Sequence, residues 1–190
     1  WYLKSQEIVQ SYPAENRPLA SNASLESLGL SRALEKPFAF ISSDDNSASR
    51  LMNISKEFGL NPWILGSGYE YRQLNQFNQL NPFFIMPIDF PSKPNVAKYM
   101  SDLQYTTAEL KHWDVAPDNL SYLNRAGHNF SITSHRLSKK SEFRKNLEKI
   151  IDRGLSKDIV LAALTTQPAE ALGLEKSMGR VAKGYDANLV

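Results

Sequence analysis

The sequence contains no cysteine, which excludes a disulfide framework, a thiol nucleophile and a cysteine-ligated metal. No apolar run approaches the roughly 18 residues that a membrane-spanning helix requires. Net charge is nearly absent too: 22 Lys and Arg stand against 20 Asp and Glu, a formal +2. Nucleic-acid or anionic-membrane binding calls for a basic patch or stripe, which the charge pattern does not supply, so neither is expected as a partner. A Gly-x-Ser-x-Gly elbow is missing, which leaves a nucleophilic serine triad nothing to rest on. With 3 histidines in the chain, imidazole chemistry is limited to His112, His128 and His135.

What is present is the composition of an ordinary globular domain, 42% hydrophobic and 22% charged. The 190 residues suffice for one domain with a core but fall short of the roughly 250 of a complete βα barrel. Trp1-Tyr2-Leu3 has no initiator Met and no signal-peptide pattern, and Asn188-Leu189-Val190 reads as the start of a strand. Residues 1–190 are therefore expected to be a single segment of a longer protein, with the compartment left open.

One unit recurs along the chain: a short apolar run, a small-residue loop, an amphipathic helix and a glycine stop. Phe38-Ala39-Phe40-Ile41 runs into Ser42-Ser43-Asp44-Asp45, a buried strand followed by a helix that Asp45 or Ser47 can cap. The Asp44-Asp45 pair offers hard oxygen ligands, although such a pair after a strand more often caps a helix. In that helix Leu51, Ile54 and Phe58 share a face, and Gly59 ends it. Trp63-Ile64-Leu65 leads into Gly66-Ser67-Gly68 and a helix with Tyr71, Leu74 and Phe77 on its inner side. Phe83-Phe84-Ile85-Met86 is apolar throughout, as a strand covered on both faces should be. The final unit is Phe130-Ser131-Ile132-Thr133 with a helix carrying Phe143, Leu147, Ile150 and Ile151.

A long insertion separates the third and fourth strands. Within it Thr106-Thr107-Ala108-Glu109 is a capping-box pattern, and Asp118 or Asn119 can open a second helix that Gly127 closes. Later, Ser156 caps a helix over 157–164, and Pro168 sits in the first turn of another.

Strands alternating with helices imply parallel βαβ units. Successive right-handed crossovers place every helix on one face of the sheet. The other face is then bare and apolar and needs a cover, either a missing N-terminal half or a self-associated copy.

The C-terminal segment carries the most specific pattern. Gly154-Leu155-Ser156, Ala162-Ala163-Leu164-Thr165-Thr166, Pro168-Ala169, Ala171-Leu172-Gly173-Leu174, Gly179-Arg180-Val181, Lys183-Gly184 and Asp186-Ala187-Asn188-Leu189-Val190 follow in close order. This resembles the end of the barrel in the amidohydrolase superfamily, the group of imidazolonepropionases and dihydroorotases. Upstream, Leu25-Glu26-Ser27-Leu28, Phe58-Gly59-Leu60 and Gly66-Ser67-Gly68-Tyr69-Glu70-Tyr71 resemble its fifth and sixth βα units. The resemblance implies an α/β fold of partial TIM-type barrel, about the last four βα units, with parallel strands. Residues 37–90 would be the fifth to seventh strand units, 91–128 the insertion, and 129–190 the eighth unit and helices leading toward a β-sandwich. The resemblance extends to large bacterial amidohydrolase-related proteins with two such domains, some secreted, which makes a secreted or periplasmic setting its implication.

The resemblance also implies a mechanism. Family members hold one or two divalent metals, zinc-like, at the barrel mouth. Ligands are a His-x-His pair after the first strand, a His after the fifth, a His after the sixth and an Asp after the eighth. Metal-activated water then attacks a non-peptide carbon–nitrogen bond. The first pair would lie upstream of Trp1. At the other three positions this sequence has Ser42-Ser43-Asp44-Asp45, Gly66-Ser67-Gly68-Tyr69-Glu70 and Ser134-His135. All three depart from the pattern, so this segment is expected to bind no cofactor of its own, a divalent metal belonging to the full-length protein.

Five residues remain as site candidates. His135 is the catalytic candidate, a replacement base at the mouth or else a loop histidine that has lost its role. Glu70, His112, Trp113 and Ser134 are substrate-binding candidates for a small molecule. For Glu70 the blander expectation is a solvated first-turn acid favourable to the helix dipole; for Trp113, an anchor beside Leu110. His128 is expected to be structural. Ser134 and His135 are adjacent in an extended segment, where side chains point apart. Two readings of function follow: part of a metal-dependent hydrolase, or a catalytically inactive amidohydrolase-like domain serving assembly or small-ligand binding.

Overall fold

The computed structural model describes residues 23–95 and 105–187. The termini read as cut, including the strand expected at Asn188–Val190, lie outside the described residues. Helix α1 (Ala23–Ala33) precedes β1 (Pro37–Ile41), α2 (Asp45–Phe58) and β2 (Asn61–Leu65). A 3-10 turn (Glu70–Arg72) and the single-turn α3 (Leu74–Phe77) lead to β3 (Phe83–Pro87). The insertion supplies α4 (Thr107–Val115), a 3-10 turn (Ala116–Asp118) and α5 (Asn119–Arg125). Strand β4 (Phe130–Thr133), α6 (Glu142–Asp152), α7 (Lys157–Leu164) and α8 (Thr166–Ala171) complete the chain.

The strands form one four-stranded sheet in the order β1-β2-β3-β4, and every pairing is parallel. This is a set of βα units laid side by side, the architecture of a partial TIM-type barrel. In register, Phe40, Ile64, Phe84 and Phe130 form one row across the sheet, and Ile41, Leu65, Ile85 and Ser131 form the next. Because side chains alternate along a strand, the rows face opposite sides. Ile64, Phe84 and Phe130 are fully buried, and with Met86, Ile132, Ile150 and Leu123 they make the core. Phe84 sits edge-on to Phe77, ring centroids 5.0 Å apart. Burying each such side chain stabilises the fold by about 1.5–3 kcal/mol.

The second face is barer. Ile41 is 76% exposed, and Trp63, Leu65, Phe83 and Ile85 are only half-buried. Trp63 and Phe83 rest on each other there at 5.4 Å. The expectation that Phe83–Met86 is covered on both faces is thus corrected: its side chains are buried alternately. Fully apolar strands signal two-sided burial only when both layers are present.

Local signals place the helix ends. Asp44, rather than the expected Asp45 or Ser47, is the N-cap of α2, its carboxylate accepting from the Ser47 amide at 2.6 Å while Ser47 Oγ closes the capping box. Gly59 ends α2 at φ 58°, a left-handed conformation that suits glycine. Thr106 and Glu109 form the expected box on α4, and Ser156 caps α7.

Two helix expectations need correction. The buried face of α2 is Ala48, Met52 and Ser55, while Ile54 is 44% exposed and Leu51 and Phe58 are half-buried. The sheet selected the stripe of small and flexible side chains, which lets the helix approach closely. The helix expected through Tyr71, Leu74 and Phe77 is broken at Gln73 into two single turns.

Candidate functional site at the strand C-terminal ends

The loops after the strands converge at one end of the sheet. Two amides extend the ladder past the strands, Ser42 N donating to Leu65 O and Gly66 N to Ile85 O, both at 2.9 Å. Gly66 has no room for a side chain: a Cβ there would lie 2.5 Å from Met86 Sδ. Gly68, at φ 94°, turns the chain back on itself.

That turn wraps around Glu70. Its side chain is 2% exposed, so the expectation of a solvated first-turn acid is corrected. Oε1 accepts from Ser67 N at 2.6 Å and Ser67 Oγ at 2.9 Å. Oε2 accepts from Gly68 N at 3.0 Å and Asn119 Nδ2 at 2.7 Å. A buried carboxylate is tolerable only when hydrogen-bonded in this way. Asn119 completes the join by accepting from the Tyr71 amide at 2.8 Å. One side chain of the insertion thereby holds two consecutive residues of the β2 loop.

His112, on α4, is also buried against this loop. Its ring stacks on Tyr69 with centroids 3.7 Å apart, and Nδ1 lies 3.3 Å from Tyr71 Oη. The Arg72 guanidinium stands over the Tyr69 ring at 4.6 Å. Burial first, and Arg72 second, hold the His112 imidazole below its ordinary pKa; Glu70 and Asp89 act in the opposite direction. His112 and Asn119 line a cleft of about 20 Å³ with Ser67, Gly68, Asp89 and Phe90, which is room for one water molecule. A wider open groove lies beside it, bounded by Ser43, Asp44, Tyr69, Arg72 and Glu109.

Across the mouth, Arg136 binds Asp89 at 3.0 Å and reaches the Gly66 and Ser67 carbonyls at 3.2 and 3.4 Å. It does so from φ 67°, a conformation uncommon for a side-chain-bearing residue. Ser134 and His135 are exposed beside it, and His135 uses its backbone amide to bond Thr133 Oγ1 at 3.2 Å. Trp113 is half-buried on α4 and does not line the cleft. His128 lies away from the mouth, buried edge-on against Phe84 with Nδ1 2.8 Å from Asn81 Oδ1.

Known structures are similar to this chain in fold. An amidohydrolase from Thermotoga maritima MSB8 superposes with a TM-score of 0.68 at 18% identity, over 98% of this chain and 45% of that one. The fold is that of part of an amidohydrolase. A second amidohydrolase matches with a TM-score of 0.57 at 14% identity, over 84% of this chain and 38% of its own. An uncharacterized protein matches at 0.53 and 15%, over 82% and 38%. The chain thus spans less than half the length of each of these structures. No family model matches the sequence, and no curated protein does.

The amidohydrolase fold raises the question of metal, and the side chains at the three positions do not fit one. After β1, Asp44 is engaged in capping α2. After β2, Glu70 has both oxygens filled by four donors. After β4, His135 is exposed and alone. Among the described residues no three His, Asp or Glu side chains gather as a metal site.

Of the five sequence candidates, the fold brings Glu70 and His112 together and leaves Trp113, Ser134 and His135 apart from them. Asn119, Asp89 and Arg136 were not singled out in the sequence. Asn119 was read as a possible cap, yet the α5 N-cap position has no side-chain cap bond and its amide serves the β2 loop instead. For Arg136 the only available signal was its place after the eighth-strand motif.

Proposed function

We propose that this chain is the second half of an amidohydrolase-type barrel whose full-length protein hydrolyses a non-peptide carbon–nitrogen bond in a small molecule. In this reading the chain supplies barrel wall and mouth loops, and the reacting groups, with any divalent metal, belong to residues outside those described. The observation that carries it is the likeness of fold over 98% of the chain to 45% of an amidohydrolase. The half-bare inner face, with Ile41 76% exposed, supports an N-terminal half as its cover; a self-associated copy is the competing occupant. Leu161, Leu172 and Val181, exposed at 61%, 60% and 85%, fit a surface packed against the β-sandwich that the resemblance implies.

A second reading has its own support. Asp44 and Glu70 are spent on hydrogen bonds within the loops, which is what an inactive domain kept for assembly or small-ligand binding would show. The two separate by experiment. Full-length protein is assayed for metal content and for turnover of a panel of N-acyl amines and cyclic amides, with and without chelator. Stoichiometric metal and chelator-sensitive turnover are expected from the hydrolase; absence of both assigns the inactive domain.

A further inference from the structure

We infer that His112 is an acid-sensitive pin, holding α4 against the β2 mouth loop at neutral pH and releasing it as the imidazole takes a proton. The geometry for this is local. At the mouth, α4 meets the β2 loop through the His112 ring, stacked on Tyr69 at 3.7 Å and 3.3 Å from Tyr71 Oη. Asn119 keeps α5 on the same loop through its bonds to Glu70 and Tyr71, and Arg153 of α6 ties the C-terminal end of α4 by pairing with Asp114 at 3.4 Å and Asp118 at 2.7 Å. Loss of the ring contact therefore loosens the N-terminal turns of α4 while α5 stays in place.

The groups facing the ring do not welcome a second cation. From the β2 loop these are Tyr69, Glu70, Tyr71 and Arg72; from the segment after β3 it is Asp89. Glu70 already accepts four hydrogen bonds, and Asp89 is paired with Arg136. The Tyr69 and Tyr71 faces that would otherwise attract an imidazolium already carry Arg72, at 4.6 and 5.7 Å. Arg72 Nε donates to Tyr71 Oη at 3.3 Å, and the same hydroxyl lies 3.3 Å from His112 Nδ1. An imidazolium has only donors to offer, so with both ring nitrogens protonated the hydroxyl must accept from His112 as well as from Arg72.

The sign follows from linkage. Burial and Arg72 hold the folded His112 pKa below its ordinary value. The pinned state therefore has its full stability above about pH 6.5, the unperturbed histidine value, and loses it as pH falls below that. Release opens the His112 side of the cleft that Ser67, Asp89 and Asn119 also line, making α4 an acid-opened cover for the mouth. This inference does not depend on hydrolysis.

The test is amide hydrogen exchange of the full-length protein at pH 7.5 and 5.5, corrected for intrinsic rates, in the wild type and in His112→Phe, which keeps a ring in the stack. Wild-type exchange over 66–72 and 107–113 should rise in acid, by no more than the roughly tenfold that an ordinary imidazole in the released state allows at pH 5.5, and the variant should show no such rise. His128 is a second buried histidine whose pKa burial also lowers, so the location of the response matters. An equal acid response in His112→Phe, or one confined to 74–84 and the vicinity of His128, overturns the inference. Should the variant fail to fold, NMR titration of the wild-type His112 Cε1–H decides: a midpoint below 6.5 sustains the pin, and one at or above 6.5 refutes it.

Discussion

Replacing Asn119 by alanine removes two hydrogen bonds at once from a side chain that is 3% exposed. One is the 2.7 Å bond to the Glu70 carboxylate; a bond to a charged group is worth about 1.5–3 kcal/mol. The other is the 2.8 Å bond from the Tyr71 amide, and an orphaned buried donor costs about 1–3 kcal/mol. Glu70 keeps its contacts with Ser67 and Gly68, and Tyr71 is only partly buried, so water recovers some of the loss. The expected destabilisation is about 3 kcal/mol, a large part of the roughly 5–15 kcal/mol available to a domain. Urea unfolding with an unchanged m-value measures it. Asn119→Asp is the sharper companion, since it keeps the acceptor for Tyr71 but sets a second carboxylate against Glu70. Like charge raises the pKa of the introduced carboxylate in the folded state, so the deficit should be largest at neutral pH and shrink in mild acid as that carboxylate takes a proton. A loss below about 0.5 kcal/mol in Asn119→Ala, or a pH-independent deficit in Asn119→Asp, would refute the account of this join.

Three further outcomes follow from packing and exposure. Phe84→Ala, at a fully buried position between Phe77 and His128, should cost about 3–5 kcal/mol by thermal or chemical denaturation. In Gly179→Ala, a Cβ at φ 86° would lie 2.9 Å from the Thr165 carbonyl oxygen and 2.8 Å from Ala169 Cβ. Strain and overpacking together should cost about 2–4 kcal/mol in the same assay, with the loss concentrated where residues 174–186 meet α8. His135→Ala, at an exposed loop position, should change stability by less than about 0.5 kcal/mol and leave any turnover of the full-length protein intact; a large drop in turnover would restore His135 as the catalytic base.

The sequence by itself determined the elements and their order. Strand runs such as Phe38–Ile41, the capping box at Thr106, the Ser156 cap and the stop at Gly59 depend on residues within a few positions of one another, so local pattern suffices to find them. Parallel order and a half-bare face follow equally from short βα units and the handedness of their crossovers. Other features required contacts between residues far apart in the chain. Glu70 is buried because Asn119, 49 positions away, arrives to bond it. Arg136 reaches the Gly66 carbonyl from 70 positions away. Helix α2 buries Met52 rather than Ile54 because the sheet beneath it, not its own periodicity, chose the stripe. A polar side chain carries no mark of whether its partner is water or protein. Only the tertiary structure decided that Glu70, Asn119 and His112 form one joint, because a carboxylate, an amide and an imidazole leave water only where a fold supplies their hydrogen bonds in return.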